Sequence, residues 1–341
     1  MMFQHILVPL DGSALAEQAL PTAARLARSV GGSVILLRVV KPPVEYAGGA
    51  AYMIYTPLGT IERLMEEEVA EARRYLEEVA ASPALAGVHT RLEVHTGLAT
   101  PMILFVTESQ KIDLIVMSSH GRSGLARWVL GSVAQKVVRS SSVPVLLLRE
   151  HEPAAVGSHP YAERPLRVLV PLDGTVVAKA ALQPAAQLIA ALAAPGQGAM
   201  HLLRVVKHEP RSGEVRAATT KEEHLHKAKL YVQSVTSHLR EGLAAELKLS
   251  VTGSVTLDND VASAIIGVAE NGEDAEGAGV FGGCDIIALA THGREGLQHW
   301  VMGSITERVL NGTRLPLLVV RPQLSEHEAS GAELQRVEVR S

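Results

Sequence analysis

The strongest constraint on this chain is that its sequence is written twice. Four segments return in the same order: HILVPLDGS (5–13) as RVLVPLDGT (167–175), LLRVVK (36–41) unchanged at 202–207, DLIVMSSHG (113–121) as DIIALATHG (285–293), and VPVLLLR (143–149) as LPLLVVR (315–321). The repeated unit is on the order of 150 residues, the size of a whole domain and far longer than a solenoid period. The sequence therefore predicts a tandem duplication of one complete domain.

The repeat also predicts where the domains begin and end. We expect a first domain over 1–150, a linker over 151–165, a second domain over 166–322 and a polar tail over 323–341. The linker is rich in Pro, Ala and charged residues, and the tail has no core periodicity. With 341 residues, each domain is large enough to bury a core of its own.

Composition narrows the classes of partner. The 32 basic and 36 acidic residues form no long basic run, so no nucleic-acid partner is expected. The single cysteine, Cys284, excludes an internal disulfide framework and favours a reducing compartment, where it is expected to be an inert core thiol. The N-terminus lacks a basic signal region, and no unbroken apolar run reaches the roughly 18 residues of a membrane span. We therefore expect no membrane partner and a cytoplasmic location.

Within each copy, short runs of Val, Ile and Leu alternate with helical stretches. In the first copy the runs HILVPL, SVILLRVV, TRLEVH, DLIVMS and VPVLLL predict five strands, and the last helix is expected from Trp128 to Arg139. Strands that are apolar at nearly every position are typical of a parallel sheet covered on both faces. The sequence predicts an α/β fold of two doubly wound domains, each a five-stranded, mainly parallel sheet flanked by helices. The second copy adds NGEDAEGAGVFGG, expected to be a surface loop.

The turns after the strands point to a ligand site, because doubly wound sheets bind ligands at the carboxyl ends of their strands. After the fourth strand of the first copy, SSHG is followed by nine residues and then by Gly131 and Ser132, which open a helix. Glycines and a helix N-terminus suit a phosphate. Matched side chains supply further contacts: hydroxyl donors at Ser132 and Ser304, cations at Arg122 and Arg294, and carboxylates at Asp11 and Asp173.

This spacing resembles the nucleotide-binding signature of the universal stress protein family, G-x2-G-x9-G-[S/T]. Its last three elements stand at Gly121, Gly131 and Ser132 in the first copy and at Gly293, Gly303 and Ser304 in the second. The strand openings ILVPLDGS and VLVPLDGT, the central LLRVV and the closing VPVLLLR also resemble the family. The first glycine of the signature is replaced by Ser118 and Ala290, which costs affinity only if the backbone there needs a positive φ.

The resemblance implies that the chain binds ATP, with Mg²⁺ arriving on the phosphates, and acts as a nucleotide-responsive stress or regulatory module rather than an efficient enzyme. It assigns the base and ribose to Pro9, Asp11 and Val39 in one copy and to Pro171, Asp173 and Val205 in the other. It assigns the phosphates to the two glycine loops, including Arg122 and Arg294. It also implies an intramolecular pseudo-dimer in which the fifth strands pair, with further association of two chains as a second option.

Alternatives of other classes remain open. A nucleotide-free interaction scaffold would have the same fold. An ATP-using enzyme is expected to show an SGGxDS-like loop or an HxGH element, whereas PLDGSA and PLDGTV stand here. No catalytic residue or metal ligand is predicted. The sites are expected to be unequal, with the first copy tighter, because Glu295 stands in the second loop where Ser123 stands in the first.

Overall fold

The computed structural model describes residues 2–42, 58–119, 130–149, 164–207, 214–275, 279–291 and 302–322. The chain divides into two compact units, Met1–Ala155 and Val156–Ser341. The predicted tail and residues 151–163 of the predicted linker lie outside the described residues.

The first unit is a parallel sheet flanked by helices. Its strands are β1 His5–Leu10, β2 Ser33–Val40, β3 His89–Thr96, β4 Leu114–Ser118 and β5 Val145–Leu148. Its helices are α1 Ala14–Glu17, α2 Ala19–Val30, α3 Leu58–Ala80, α4 Ala99–Ser109 and α5 Ser132–Ser140. The strand order is β3-β2-β1-β4-β5, and every pairing in it is parallel.

The second unit repeats this plan. Its strands are β6 Leu166–Pro171, β7 Gly198–Val206, β8 Ser250–Leu257, β9 Glu273–Ala275, β10 Gly279–Phe281, β11 Ile286–Ala290 and β12 Leu317–Val320. Its helices are α6 Val176–Lys179, α7 Leu182–Ala193, α8 Glu214–Glu241, α9 Leu243–Glu246, α10 Val261–Asn271 and α11 Ser304–Gly312. The parallel order is β8-β7-β6-β11-β12, so the predicted α/β fold is confirmed in both repeats.

The strand order explains the hydrophobic pattern. In the first unit β1 lies between β2 and β4, and its side chains Ile6, Leu7 and Val8 are fully buried. The outer strand β3 has no buried residue: its side chains are exposed or half-buried. The order changes direction between β1 and β4, which creates the crevice that doubly wound folds use for ligands.

In each repeat, one aspartate just before the fourth parallel strand forms hydrogen bonds to the start of the first strand. The Asp113 carboxylate, just before β4, accepts hydrogen bonds from the backbone N–H groups of Gln4 (2.7 Å) and His5 (3.1 Å) at the start of β1. In the second repeat Asp285 accepts from the backbone N–H of Arg167 and from the guanidinium of Arg164, both at 2.7 Å. These bonds satisfy backbone donors at the amino end of the sheet, the end away from the ligand crevice.

Two expectations about local structure are wrong. The last helix of the first repeat begins at Ser132, because Gly131 has an extended backbone (φ −57°, ψ 144°) that cannot continue a helix; Trp128 lies outside the described residues. The insertion predicted as a surface loop contains a small antiparallel ladder, in which β9 and β10 pair from Glu273 with Phe281 to Ala275 with Gly279. A Gly-rich composition alone did not indicate this pairing.

One described stretch, 176–193, is long and apolar enough to pass for a membrane span by length and composition alone. It is formed by α6 and α7, and 67% of it is buried inside the protein. Ala185, Leu188 and Ile189 of α7 are fully buried. This is the burial of a core helix, so the stretch is weak evidence for a membrane segment.

Candidate functional site

A cavity of about 640 Å³ opens at the carboxyl ends of β1 and β2 in the first repeat, beside the start of α5. Five residues that the sequence assigned to a ligand line it together: Pro9, Asp11, Val39, Gly131 and Ser132. The remaining two assignments of this repeat, Gly121 and Arg122, lie outside the described residues. The structure thus brings the predicted base and phosphate ends of the site into one space.

The turn between β1 and α1 fixes the orientation of Asp11. Its Oδ1 accepts hydrogen bonds from the backbone N–H (3.0 Å) and the hydroxyl (2.5 Å) of Ser13. The Ser13 hydroxyl oxygen in turn caps α1 by accepting from the N–H of Ala16 at 3.2 Å. Gly12, between them, has φ 82°, a left-handed conformation that favours glycine. The turn therefore presents a pre-oriented carboxylate to the cavity.

The start of α5 is electropositive, in contrast to the carboxylate of Asp11. The backbone N–H of Gly131 donates to the carbonyl of Ser119 (2.8 Å), which fixes the helix start beside the end of β4. Within the described part of the chain, the residue before this helix makes no side-chain cap to its first turn. The N–H groups of that turn and the positive end of the helix dipole therefore suit an anion in the cavity.

The departure from the glycine signature causes no backbone strain. Ser118 is the last residue of β4 and Ala290 the last of β11. Among the described non-glycine residues, positive φ angles occur at Phe3, Lys111 and Lys248, not at these two positions. A Cβ is thus compatible with the backbone at the first signature position in both repeats.

The wall formed by α3 contains residues that sequence reasoning missed. The Tyr75 hydroxyl donates to Glu17 Oε1 at 2.9 Å, and the Arg38 guanidinium lies 5.6 Å from the centre of the Tyr75 ring. Arg38 also donates to the carbonyl of Leu10 at 3.3 Å. Burial raises the pKa of Tyr75, and its hydrogen bond to Glu17 raises it further, so the phenol stays neutral. Tyr75 and Arg38 line the cavity, as do Glu68 and Glu71.

The second repeat places its predicted residues in the same way. Pro171 ends β6, Asp173 follows it, and Val205 lies near the end of β7. Asp173 Oδ1 accepts from the N–H (2.9 Å) and hydroxyl (2.6 Å) of Thr175, which caps α6. This reproduces the arrangement of Asp11 and Ser13.

The helix start of the second repeat is also reproduced. Gly303 N–H donates to the carbonyl of Thr291 at 3.0 Å, and Ser304 opens α11. Because β11 and β6 are neighbours, this helix start and Asp173 lie at adjacent strand ends. We call this region the second cleft, and the cavity of the first repeat the first cleft. Gly293 and Arg294 lie outside the described residues, as do Glu295 and Ser123, on which the expected difference in affinity rests.

Arg204 and Tyr231 occupy the second cleft as Arg38 and Tyr75 occupy the first. Arg204 donates to the carbonyl of Leu172 at 3.1 Å. The Lys179 ammonium lies 5.4 Å from the centre of the Tyr231 ring. Burial raises the pKa of Tyr231 to about 12; the nearby Asp173 raises it and Arg204 opposes the rise. The matched signal was present in the sequence, since LLRVV and a tyrosine in the long helix occur in both copies.

The described residues offer no arrangement for a resident metal. No group of three or more His, Cys, Asp or Glu side chains in the described ranges is placed to hold an ion. Cys284 is buried, and burial raises the pKa of its thiol to about 12, which keeps it protonated and unreactive.

Known proteins resemble this chain in both repeats. The sequence model of the universal stress protein family matches residues 2–149 and 166–321. Universal stress protein YxiE of Bacillus subtilis is 32% identical over 148 residues, which are 43% of this chain and 100% of that protein. Universal stress protein Slr1230 of Synechocystis is 24% identical over 332 residues, covering 93% of this chain and 100% of that protein.

A solved structure extends the likeness to the fold. The crystal structure of a universal stress protein from Archaeoglobus fulgidus matches with a TM-score of 0.61 and 21% identity, covering 94% of this chain and 99% of that one. Like Slr1230, it matches across both repeats. The chain therefore belongs to the universal stress protein family and carries one domain of that family in each of its two repeats.

Proposed function

We propose that this protein binds adenine nucleotides, ATP in particular, in the clefts at the carboxyl ends of its strands. The single observation that supports this most is the convergence of Asp11, Val39 and the start of α5 at Gly131 on one cavity. An acceptor for a ribose or adenine donor and a positive helix end for phosphates are thereby available to one ligand.

The size and chemistry of the first cleft fit such a ligand. Its volume of about 640 Å³ lies within the range of roughly 300–1,000 Å³ typical of small-molecule sites. Pro9 and Val39, both half-buried, provide apolar lining for a base, whereas Arg38 and Lys41 provide positive charge. Mg²⁺ would arrive with the phosphates, because the described residues hold no metal cluster of their own.

The role that follows from binding is a nucleotide-responsive regulatory module. A bound nucleotide would contact the turn before α1, the end of β2 and the start of α5 at the same time. Because these three elements are far apart in the sequence, the ligand would stabilise their arrangement. The turns at Asp11 and Asp173 support this role, because hydrogen bonds from Ser13 and Thr175 already fix the two carboxylates. A nucleotide-free scaffold of the same fold is the alternative.

Mass spectrometry of small molecules released from freshly purified protein, followed by calorimetry with ATP and Mg²⁺, tests the proposal. Gly131→Val should abolish binding at the first cleft, because it adds bulk at a residue that lines the cavity beside the start of α5. Gly59→Val is the matched control: Gly59 lies in the first turn of α3, and a Cβ added there would have no atom within 4 Å. Absence of any released nucleotide together with no measurable heat would favour the scaffold.

We also propose that the fifth strands β5 and β12 pair with each other within one chain. In each repeat this strand ends the strand order of its unit, and a bare apolar edge promotes aggregation. Hydrogen exchange of the full chain tests the pairing. All backbone amides of Val145–Leu148 should exchange slowly if the outer edge is paired, whereas alternate amides should exchange fast if it faces water.

A further inference from the structure

The helix α4 of the first repeat carries apolar side chains on its outer face. Leu98, directly before the helix, is 54% exposed, and Phe105, two turns further, is 55% exposed. Pro101 between them is also exposed. Positions 98, 101 and 105 follow the spacing of three and four residues that places side chains on one face of a helix. We call these three residues the α4 stripe.

The second repeat has no such stripe on the matching helix α10. Both helices have 11 residues, so Leu98 matches Asp260 and Phe105 matches Gly267. A Cβ added at Gly267 would have no atom within 4 Å, so this position faces open space. The exposed phenylalanine is therefore a feature of the first repeat and not a requirement of the fold.

The charge at the start of the two helices differs as well. In the second repeat Arg308 of α11 lies 2.6 Å from Asp260, the residue before α10. Lys136 is the fifth residue of α5, as Arg308 is of α11, but the position that matches Asp260 is Leu98. The first repeat thus keeps the cation at the start of the stripe and lacks its carboxylate.

The opposite change occurs at the end of the helices. In the second repeat Arg314 lies 3.1 Å from Glu270 of α10. Glu108 of α4 matches Glu270, but Ser142 stands where the second repeat has Arg314. The first repeat keeps the carboxylate here and lacks the cation. Lys136 and Glu108 are both exposed, and neither forms an ion pair with another described residue.

We propose that two copies of this chain associate through the α4 stripe, with their α4 helices antiparallel about a two-fold axis. The stripe has Lys136 near its first end and Glu108 at its last end, and about 15 Å of helix separates the two ends. A two-fold axis through the middle brings each Lys136 opposite Glu108 of the other copy, and each Phe105 opposite Pro101 of the other copy. A second copy therefore supplies an apolar surface and both missing counter-charges at once.

The size of the stripe sets the strength of this association. Three side chains expose far less than the roughly 800 Å² that each partner buries in a standard interface. The dimer should therefore be weak, with a dissociation constant in the micromolar range or above. Added salt should weaken it further, because exposed ion pairs are screened.

Sedimentation equilibrium of the full chain at low salt, from micromolar to near-millimolar concentration, tests the inference. Phe105→Ser should raise the dissociation constant of the dimer by at least about tenfold, because two exposed rings lose their contact. Lys136→Glu and Glu108→Lys should each raise it by at least about threefold, because like charges then meet twice in each dimer. The matched controls are Leu230→Ser and Lys227→Glu, at exposed positions of α8, which should leave it unchanged.

Mixing the two charge variants separates an interface from an indirect effect on folding. Between a Lys136→Glu chain and a Glu108→Lys chain, every contact joins opposite charges again. The equimolar mixture should therefore dimerise about as well as the unmodified protein, although each variant alone does not.

Three results would overturn the inference: a chain that stays monomeric throughout, α4 variants that dimerise like their controls, or a mixture that restores nothing. In each case the stripe is covered by something other than a second copy or is left bare. None of these results bears on nucleotide binding, so the proposed function is tested separately.

Discussion

Replacing Glu273 with alanine should destabilise the second repeat, because Glu273 links the β9–β10 ladder to the parallel sheet. His201 on β7 is completely buried, and its Nε2 lies 3.0 Å from Glu273 Oε1. The same carboxylate accepts from the hydroxyls of Ser254 and of Thr256, the latter at 3.1 Å. His201 Nδ1 is paired separately, 2.7 Å from the hydroxyl of Thr252.

The expected magnitude follows from these contacts. A hydrogen bond to a charged group contributes about 1.5–3 kcal/mol, and neighbouring bonds are not additive. The Glu273 side chain is 15% exposed to solvent, and in the variant His201 would still contact Thr252. We therefore expect Glu273→Ala to lower the free energy of unfolding by about 2–4 kcal/mol. Urea titration should show a lower midpoint with an unchanged slope.

The loss of stability caused by Glu273→Ala should also depend on pH. Burial alone raises the pKa of Glu273, but hydrogen bonds from His201 and Ser254 outweigh it and hold the pKa below its ordinary value. A carboxyl with a lowered folded-state pKa contributes its full stability above its unfolded pKa, about 4.3, and loses it as pH falls through the folded value. The difference between Glu273→Ala and the unmodified protein should therefore shrink below about pH 4.

The matched control is Glu246→Ala, which removes an exposed carboxylate from α9 in the same repeat. It should change the free energy of unfolding by less than about 0.5 kcal/mol. Equal midpoints for the two variants, or a penalty that grows as pH falls, would refute the role assigned to Glu273.

Three further results are expected. Cys284 should resist a thiol reagent in the folded protein and react once urea unfolds it, because burial raises its pKa to about 12; fast labelling of native protein would contradict this. Gly253→Ala should cost about 1–3 kcal/mol in thermal unfolding, since its Cβ would lie 2.5 Å from Val232 Cγ1. Gly267→Ala, inside α10 with open space around it, should instead gain up to about 1 kcal/mol, and the same sign for both glycine variants would refute the packing argument.

Much of the fold was predictable because it follows from short sequence patterns that occur in both repeats. Apolar runs such as HILVPL and DLIVMS became β1 and β4, since strands buried on both faces leave a continuous signal. The convergence of Asp11, Val39 and Gly131 followed from the rule that parallel strands share a carboxyl edge. These inferences need only periodicity and strand direction.

The missed features depend on contacts between distant residues. His201 and Glu273 are 72 positions apart, and nothing in either local sequence indicates the other. The wall residues Tyr75 and Tyr231 lie within the long helices α3 and α8, where nothing in the neighbouring sequence indicates a ligand. The signal for both is that a tyrosine occurs in the long helix of each repeat.

Hydrogen exchange of the full chain with and without saturating ATP and Mg²⁺ tests the central claim most directly, because it locates the ligand without a variant. Binding at the carboxyl ends of the strands should slow exchange in segments 9–12, 37–41 and 131–134 and in their counterparts 171–174, 203–207 and 303–306. Segments at the amino ends, 30–33 and 111–113, should not change. Protection at the amino ends, or no protection at the carboxyl ends when ATP is saturating, would contradict the account.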